Sequence, residues 1–134
     1  MISNVQEFHQ NLVEIKKQTY LALDLEFVPT SIIGQVHQLS LLQAAGYDPF
    51  YPEKKPVWVI DLLSPKHRSS LSDPNIPQLE ESEYKQLINL VLEHIIGNVT
   101  STKLGIGLVN DISNLKIACD YPSDKQIVKL QIFT

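Results

Sequence analysis

The order of the apolar segments restricts the fold of this chain more than any other feature. Three segments rich in strand-forming residues follow one another without a helix-sized stretch between them, over 19–28, 35–45 and 57–63. Strands joined in this way pair antiparallel, because a parallel pair requires a long crossover connection, usually a helix. We therefore expect the first three strands to form an antiparallel meander.

The rest of the chain alternates between helix and strand. The remaining elements are predicted over 84–96, 103–108, 111–119 and 127–133. Their order is typical of parallel crossovers. An amphipathic helix over 4–17 precedes the first strand. The expected fold class is α/β: one five-stranded mixed sheet, its first three strands antiparallel and its last two reached by parallel crossovers, flanked by helices.

Composition narrows the class of protein further. With 134 residues and 43% hydrophobic content, the chain is long enough for one domain with its own core. Its net charge of −4 argues against binding nucleic acid mainly by neutralising phosphates, so such a role would need a local site.

Cys119 is the single cysteine, which excludes an internal disulfide, and polar residues interrupt every apolar run. We expect an intracellular protein without membrane association; nuclear and cytoplasmic locations are not distinguished.

Two carboxylates in the first strand are the main chemical anomaly. Asp24 and Glu26 alternate with Leu23, Leu25 and Phe27, so both acids lie on one face of a strand that is otherwise apolar on both sides. Their Cα atoms would be roughly 6.6 Å apart, close enough for both side chains to reach one divalent cation. Two alternatives remain open at this point: an edge strand with a solvated polar face, or pairing of the acids with Lys or Arg.

A third acid follows the predicted fourth strand. The segment runs through Gly105 and Gly107 into a turn and a helix, with Asn110 and Asp111 near the first helical turn. Asp111 could simply cap that helix. However, a fourth strand parallel to the first would bring Asp111 near the carboxyl end of the strand that holds Asp24 and Glu26. Three converging acids call for a hard cation such as Mg²⁺ or Mn²⁺, and such sites serve phosphate chemistry.

Three motifs in this order resemble those of a known superfamily. LALDLEFVP, QLSLLQAA and KLGIGLVNDISNLK are similar to the motifs of the DEDD superfamily of 3′–5′ exonucleases, in particular the ribonuclease D and Werner exonuclease branch. The resemblance implies an RNase H-like (DnaQ-like) fold. It divides the chain into an N-terminal helix, 1–18, and a partial 3′–5′ exonuclease domain, 19–134.

The resemblance also implies a reaction and its residues. Asp24 and Glu26 match the first exonuclease motif and Asp111 matches the second, which makes them the expected catalytic and metal-binding residues. By this resemblance, Asp24 bridges two divalent ions, Glu26 helps to hold the ion that activates water, and Asp111 supports the other ion. The implied substrate is the 3′ end of single-stranded RNA or DNA, with RNA favoured, and the products are nucleoside monophosphates.

The resemblance further places substrate-binding residues around the acids. Phe27, Val28 and Pro29 would lie where the terminal nucleotide enters, and Phe27 could stack on a base. The alternation of the strand instead favours core packing for Phe27. Asn110 and Leu115 accompany Asp111 in the second motif and complete the set of expected substrate contacts.

One motif of the superfamily is missing. The third motif is Tyr or His followed four residues later by Asp, on a helix beyond the fifth strand, and no such pair follows Asp111. We therefore expect the C-terminal helices, the fourth carboxylate and the general base to be absent, the two-metal site to be incomplete, and the chain to be a weak or inactive nuclease.

Two further expectations follow from the missing segment. The first is an alternative function, a non-catalytic nucleic-acid-binding or scaffold module of an RNA-processing or small-RNA pathway. The second is self-association, because the apolar last strand, 127–133, would lack a covering layer.

Overall fold

A computed structural model describes residues 1–28, 38–65, 79–122, 125 and 132–133. The elements are α1 (Val5–Lys16), β1 (Tyr20–Val28), β2 (Gln38–Tyr47), β3 (Val57–Asp61), α2 (Glu81–Leu90) continued by a π-helical segment (Val91–Ile96), β4 (Thr102–Leu104), α3 (Leu108–Ala118) and β5 (Ile132–Phe133). None of the described helices has the length and apolar character needed to cross a membrane.

The sheet has the strand order β3-β2-β1-β4, and β5 pairs with the outer edge of β4. β1 and β2 are antiparallel, as are β2 and β3, so the predicted meander is confirmed. β4 runs parallel to β1, as its crossover predicted. Together with the three helices, this four-strand mixed sheet is consistent with an RNase H-like fold. In the described residues β5 amounts to a two-residue parallel pairing, and most of the predicted last strand, 127–133, lies outside them.

Helix α1 belongs to the same hydrophobic core as the sheet. It begins after Asn4, whose Oδ1 accepts a hydrogen bond of 2.8 Å from the backbone N–H of Glu7. Its apolar face carries Phe8 and Ile15, both fully buried. At its first turn, the backbone N–H of Val5 donates to the Glu83 carboxylate of α2. These contacts tie the N-terminal helix to the rest of the molecule.

The boundaries around β4 differ from those predicted. The predicted strand ran to residue 108, but β4 ends at Leu104, and α3 begins at Leu108 instead of residue 111. The reason is the backbone of Gly107, whose φ of 68° lies in the left-handed region and ends the extended segment. The predicted helix over 84–96 is also longer at its start, beginning at Glu81, and its last turns widen into a π-helix before Gly97.

The core lies on one side of the sheet. Leu21, Leu23 and Leu25 of β1 are buried in the same cluster as side chains of all three helices, whereas Ala22, Asp24 and Glu26 are exposed. β1 lies inside the described sheet, between β2 and β4. Among the described residues, the face of the sheet that carries the two acids is open to solvent. We call it the open face.

Lys103 is a buried charge at the centre of β4. Its side chain is 2% exposed, and its Nζ donates to the backbone carbonyl oxygens of Asn98 and of Ser101, the latter at 2.8 Å. Burial lowers the pKa of Lys103 to about 8, from its ordinary value of 10.5. The ammonium therefore fastens the turn that leads into β4, but it does so at a free-energy cost that depends on pH.

We predict that this cost disappears as the pH rises. Between about 8 and 10.5 the folded chain has released the Lys103 proton while the unfolded chain still binds it, so folding stability rises through this window, by about 3 kcal/mol at most. Lys103→Met has no titrating group at this position, so its stability should not show this rise. Urea unfolding of both proteins from pH 7 to 10.5 should show the wild type gaining stability relative to Lys103→Met. A constant difference between the two would contradict the prediction.

Candidate functional site

Asp24 and Glu26 lie side by side on the open face of β1. Their side chains are exposed, and the pairing of β1 with β2 sets Asp24 opposite Gln43 and Glu26 opposite Leu41. A β-bulge follows immediately, between Glu26 and Phe27. β2 pairs with β1 along its whole length, whereas β4 pairs with it only from Tyr20 to Ala22. The strand is therefore interior at its start, and the solvated polar face that sequence analysis left open is observed at Asp24 and Glu26.

The two acids interact with each other. The hydrogen bond between Glu26 and Asp24, together with the negative charge of Asp24, raises the pKa of Glu26, because both favour its protonated form. Among the described residues, no Lys or Arg forms an ion pair with either acid. Their charges are therefore not balanced by a basic side chain in the part of the chain that the structure describes.

Asp111 approaches this pair from α3. The cap of that helix is Gly107, which has no side chain to form a capping hydrogen bond. The backbone N–H of Asp111 donates to the carbonyl oxygen of Gly107 at 3.1 Å. Asp111 thus lies inside the helix and is not its cap. Burial raises the pKa of Asp111, and the negative charge of Asp24 raises it further. Asp111 therefore lies within electrostatic reach of Asp24, across the junction between β1 and β4.

The three carboxylates do not form a closed metal cage. Over the described ranges, no group of three or more His, Cys, Asp or Glu side chains is close enough to hold a metal ion. Asp24 and Glu26 still offer what a hard cation prefers, namely exposed carboxylate oxygens that repel each other. The carboxylate oxygens of Asp24 and Glu26 suit a divalent cation bound between them. Asp111 is not close enough to join them around the same ion.

Gly105 determines how closely the connection between β4 and α3 approaches β1. A Cβ at this position would lie 2.7 Å from the carbonyl oxygen of Leu23 and 2.9 Å from the Leu108 side chain. Only glycine permits this approach without a shift of the backbone. The glycine therefore helps to place α3, and with it Asp111, beside the strand that carries Asp24.

A groove of about 640 Å³ on the open face is lined in part by Asp24. Its lining includes Ala22 and Ala45, with Gln43 beside Asp24 and with Gly105 on the β4 side. Sequence analysis did not identify Gln43 or Gly105 as site residues, although both lie within the quoted motifs. For Gln43 the missing information was the strand register that sets it opposite Asp24.

The other predicted site residues have diverse environments. Phe27 is half-buried and packs against the core, and Val28 is half-buried at the end of β1. Asn110 is exposed, one residue before Asp111. Leu115 is fully buried in the core, where it anchors α3. Pro29 lies outside the described residues.

Comparisons with known proteins give one informative likeness. No protein-family model and no curated protein matches the chain. Among solved structures, the chain is similar to the crystal structure of the EXO domain of Nibbler from Aedes aegypti, with a TM-score of 0.57 and 21% sequence identity over 98% of this chain. The chain spans about half of that neighbour, 49% of its length. This likeness shows that the chain has the fold of the part of that EXO domain that it matches.

We predict that Gly105→Ala destabilises the fold by about 1–3 kcal/mol, because the added methyl group would overlap the Leu23 carbonyl oxygen and the Leu108 side chain. Ile106→Ala is the matched control, since Ile106 is 93% exposed and its truncation should change stability by less than about 0.5 kcal/mol. Urea unfolding measures both. Equal stability of Gly105→Ala and the wild type would show that the connection between β4 and α3 leaves room for a methyl group beside the Leu23 carbonyl oxygen.

Proposed function

We propose that this chain forms the metal-binding part of a 3′–5′ exonuclease domain, which hydrolyses phosphodiester bonds at the 3′ end of nucleic acid to release nucleoside monophosphates. One observation supports this most strongly: the Asp24 charge raises the pKa of both Glu26 and Asp111, so one carboxylate of β1 lies within electrostatic reach of two others. Such an arrangement is unfavourable for folding unless a ligand relieves the repulsion.

A divalent cation is the ligand that this chemistry favours. Asp24 and Glu26 would hold it, and Asp111 would support a second ion directly or through water, with Mg²⁺ or Mn²⁺ suited to ligands that are all oxygen. When bound, the ion supplies charge neutralisation at the phosphate and lowers the pKa of coordinated water. A bound cation would relieve the repulsion between the Asp24 and Glu26 charges.

Sequence motifs and fold point in the same direction. The motifs around Asp24, Glu26 and Asp111 resemble those of DEDD exonucleases, and the solved neighbour is named as an EXO domain. At 21% identity that likeness supports the fold, and the proposed chemistry depends on the three acids themselves. RNA is the favoured substrate class by the resemblance alone, which also suggests a role in RNA processing.

The remaining predicted contacts fit a substrate entering beside the acids. Val28 and Asn110 lie near the carboxyl end of β1 and the start of α3, respectively, where a terminal nucleotide would be positioned. Phe27 divides its surface between the core and solvent, so part of its ring is accessible for stacking on a base. Leu115 would act indirectly, by fixing α3 in the core.

A non-catalytic nucleic-acid-binding or scaffold module is the second candidate. One observation favours it: no group of three acids within the described residues is close enough to form a metal site. We accordingly expect this chain by itself to hydrolyse nucleic acid weakly or not at all, because water activation and metal affinity depend on such groups. Metal binding distinguishes the two candidates.

We predict that the chain binds Mn²⁺ and that Asp24→Asn or Glu26→Gln weakens this binding at least about tenfold, because each removes one carboxylate charge from the ion. Isothermal titration calorimetry measures the affinity. Because ligand binding to the folded state also stabilises it, the wild type should melt at a higher temperature in millimolar Mn²⁺.

Glu53→Gln is the matched control, since Glu53 is exposed in the connection between β2 and β3 and should leave Mn²⁺ affinity unchanged. Asp111→Asn should weaken Mn²⁺ binding less than Asp24→Asn, because Asp111 lies outside the pair of carboxylates that would hold the ion. If the wild type binds no Mn²⁺, or if Glu53→Gln weakens binding as much as Glu26→Gln, the metal site is refuted and the scaffold function is favoured.

A further inference from the structure

A cavity of about 740 Å³ lies between the end of α1 and the connection from β2 to β3. Its walls include Gln18 at the end of α1, Trp58 of β3, and Tyr51, Lys54 and Lys55 of the connection. We call it the α1 cavity. Its volume is in the range of protein cavities that hold small organic ligands.

The α1 cavity and the acids lie on opposite faces of the sheet. Trp58 pairs with Ala44 across β2 and β3, and Ala44 is fully buried on the face that packs against the helices. Asp24 and Glu26 project from the open face. A molecule in the α1 cavity therefore does not contact these acids, and its binding is separate from the proposed metal site.

Positive charge is concentrated on one wall of the α1 cavity. The lining holds three lysines and two acids, although the whole chain has a net charge of −4. Lys17 is paired with Glu14 at 3.1 Å. Lys54 and Lys55 are exposed and form no ion pair with a described residue. Two adjacent ammonium groups without a counter-charge suit a phosphate monoester, which carries nearly two negative charges, better than a single carboxylate.

Two aromatic side chains line the same cavity. Trp58 is half-buried and Tyr51 is 55% exposed, so both leave ring surface open to a ligand. The Nζ of Lys54 lies 5.4 Å from the centre of the Tyr51 ring, which places positive charge beside an aromatic surface. Indole and phenol rings stack on planar heterocycles. The lining therefore offers contacts to both parts of an aromatic phosphate.

Gln18 supplies an unused hydrogen-bond acceptor at the α1 wall. Its side chain is 8% exposed, and its Nε2 donates to the backbone carbonyl oxygen of Glu14 at 3.2 Å. No described group donates a hydrogen bond to its Oε1. Amide oxygens of buried side chains normally have a donor, and the negative end of the α1 dipole favours a donor over an anion here. A ligand is thus oriented with its N–H groups toward Gln18 and its acidic group toward Lys54 and Lys55.

Backbone hydrogen bonds hold the lysine-bearing wall in place. The N–H of Tyr51 donates to the carbonyl oxygen of Asp48, and the N–H of Lys54 donates to that of Tyr51, both at 3.0 Å. The connection then closes on β2, because the N–H of Gly46 donates to the Pro56 carbonyl oxygen at 2.9 Å. A wall that is ordered before binding loses less conformational entropy when a ligand arrives.

We propose that the α1 cavity binds a small organic phosphate whose planar ring bears N–H groups, with the size and chemistry of a mononucleotide. The ring stacks on Trp58, Lys54 and Lys55 hold the phosphate, and the Oε1 of Gln18 accepts a hydrogen bond from the ring. This site goes beyond the proposed nuclease function and requires no metal ion.

Trp58 is the single tryptophan of the chain, so its fluorescence reports binding in the cavity directly. The probe is adenosine 5′-monophosphate (AMP), titrated in EDTA to keep divalent ions away from the acids, with calorimetry for the affinity. We expect saturable binding and a change in Trp58 fluorescence. Adenosine lacks the phosphate and inorganic phosphate lacks the ring, so each should bind at least about tenfold more weakly than AMP.

Lys54→Gln/Lys55→Gln should weaken AMP binding at least about tenfold, because it removes two charged contacts to the phosphate. Both side chains are exposed, so the melting temperature should stay close to that of the wild type. Lys16→Gln/Lys85→Gln is the matched control. It removes two positive charges that do not line the cavity and should bind AMP as the wild type does.

The outcomes separate this site from the metal site. The α1 site is overturned if calorimetry detects no AMP binding, if adenosine or inorganic phosphate binds as tightly as AMP, or if both double lysine variants weaken binding equally. AMP binding that requires Mn²⁺ and is lost in Asp24→Asn would overturn it in favour of the metal site. AMP binding in EDTA that depends on Lys54 and Lys55, without any Mn²⁺ binding, would support the α1 site and refute the metal site.

Discussion

The two-residue period of β1, held between two neighbouring strands, is the constraint on which the structure depends. Hydrogen bonding to β2 and β4 fixes which side chains of β1 face the helices, and a shift of one residue would exchange the two sets. Leu21, Leu23 and Leu25 are buried only in the observed register. The hydrophobic core therefore also determines that Asp24 and Glu26 project from the opposite face.

This arrangement explains why two acids can occupy the central strand of a small domain. A buried carboxylate without a partner would be strongly destabilising, but here both acids are exposed to water on the open face. Packing on one face thus leaves the other face free to carry charged side chains. Asp111 reaches the same region because Gly105 lets the β4–α3 connection approach the Leu23 carbonyl closely.

Much of this arrangement could be predicted from the sequence. Alternation in β1 was sufficient to place Asp24 and Glu26 on one face, and the order of the elements predicted that β4 would lie parallel to β1. The end of β4 could not be predicted, because Ile106 is a strand-forming residue and the pattern of apolar residues does not reveal the left-handed backbone of Gly107. The role of Gln43 depended on strand register, which is a property of two strands together.

In the proposed function, Asp24 and Glu26 bind a divalent cation on the open face and Asp111 supports a second one. Paramagnetic broadening by Mn²⁺ in ¹H–¹⁵N spectra of the ¹⁵N-labelled chain tests it most directly, because broadening reports which residues lie near the ion. The account predicts that trace Mn²⁺ broadens the amide signals around Asp24 and Glu26 first and those around Asp111 next. Broadening centred elsewhere, for example around Asp48 and Glu53, or spread evenly over the chain, would contradict it.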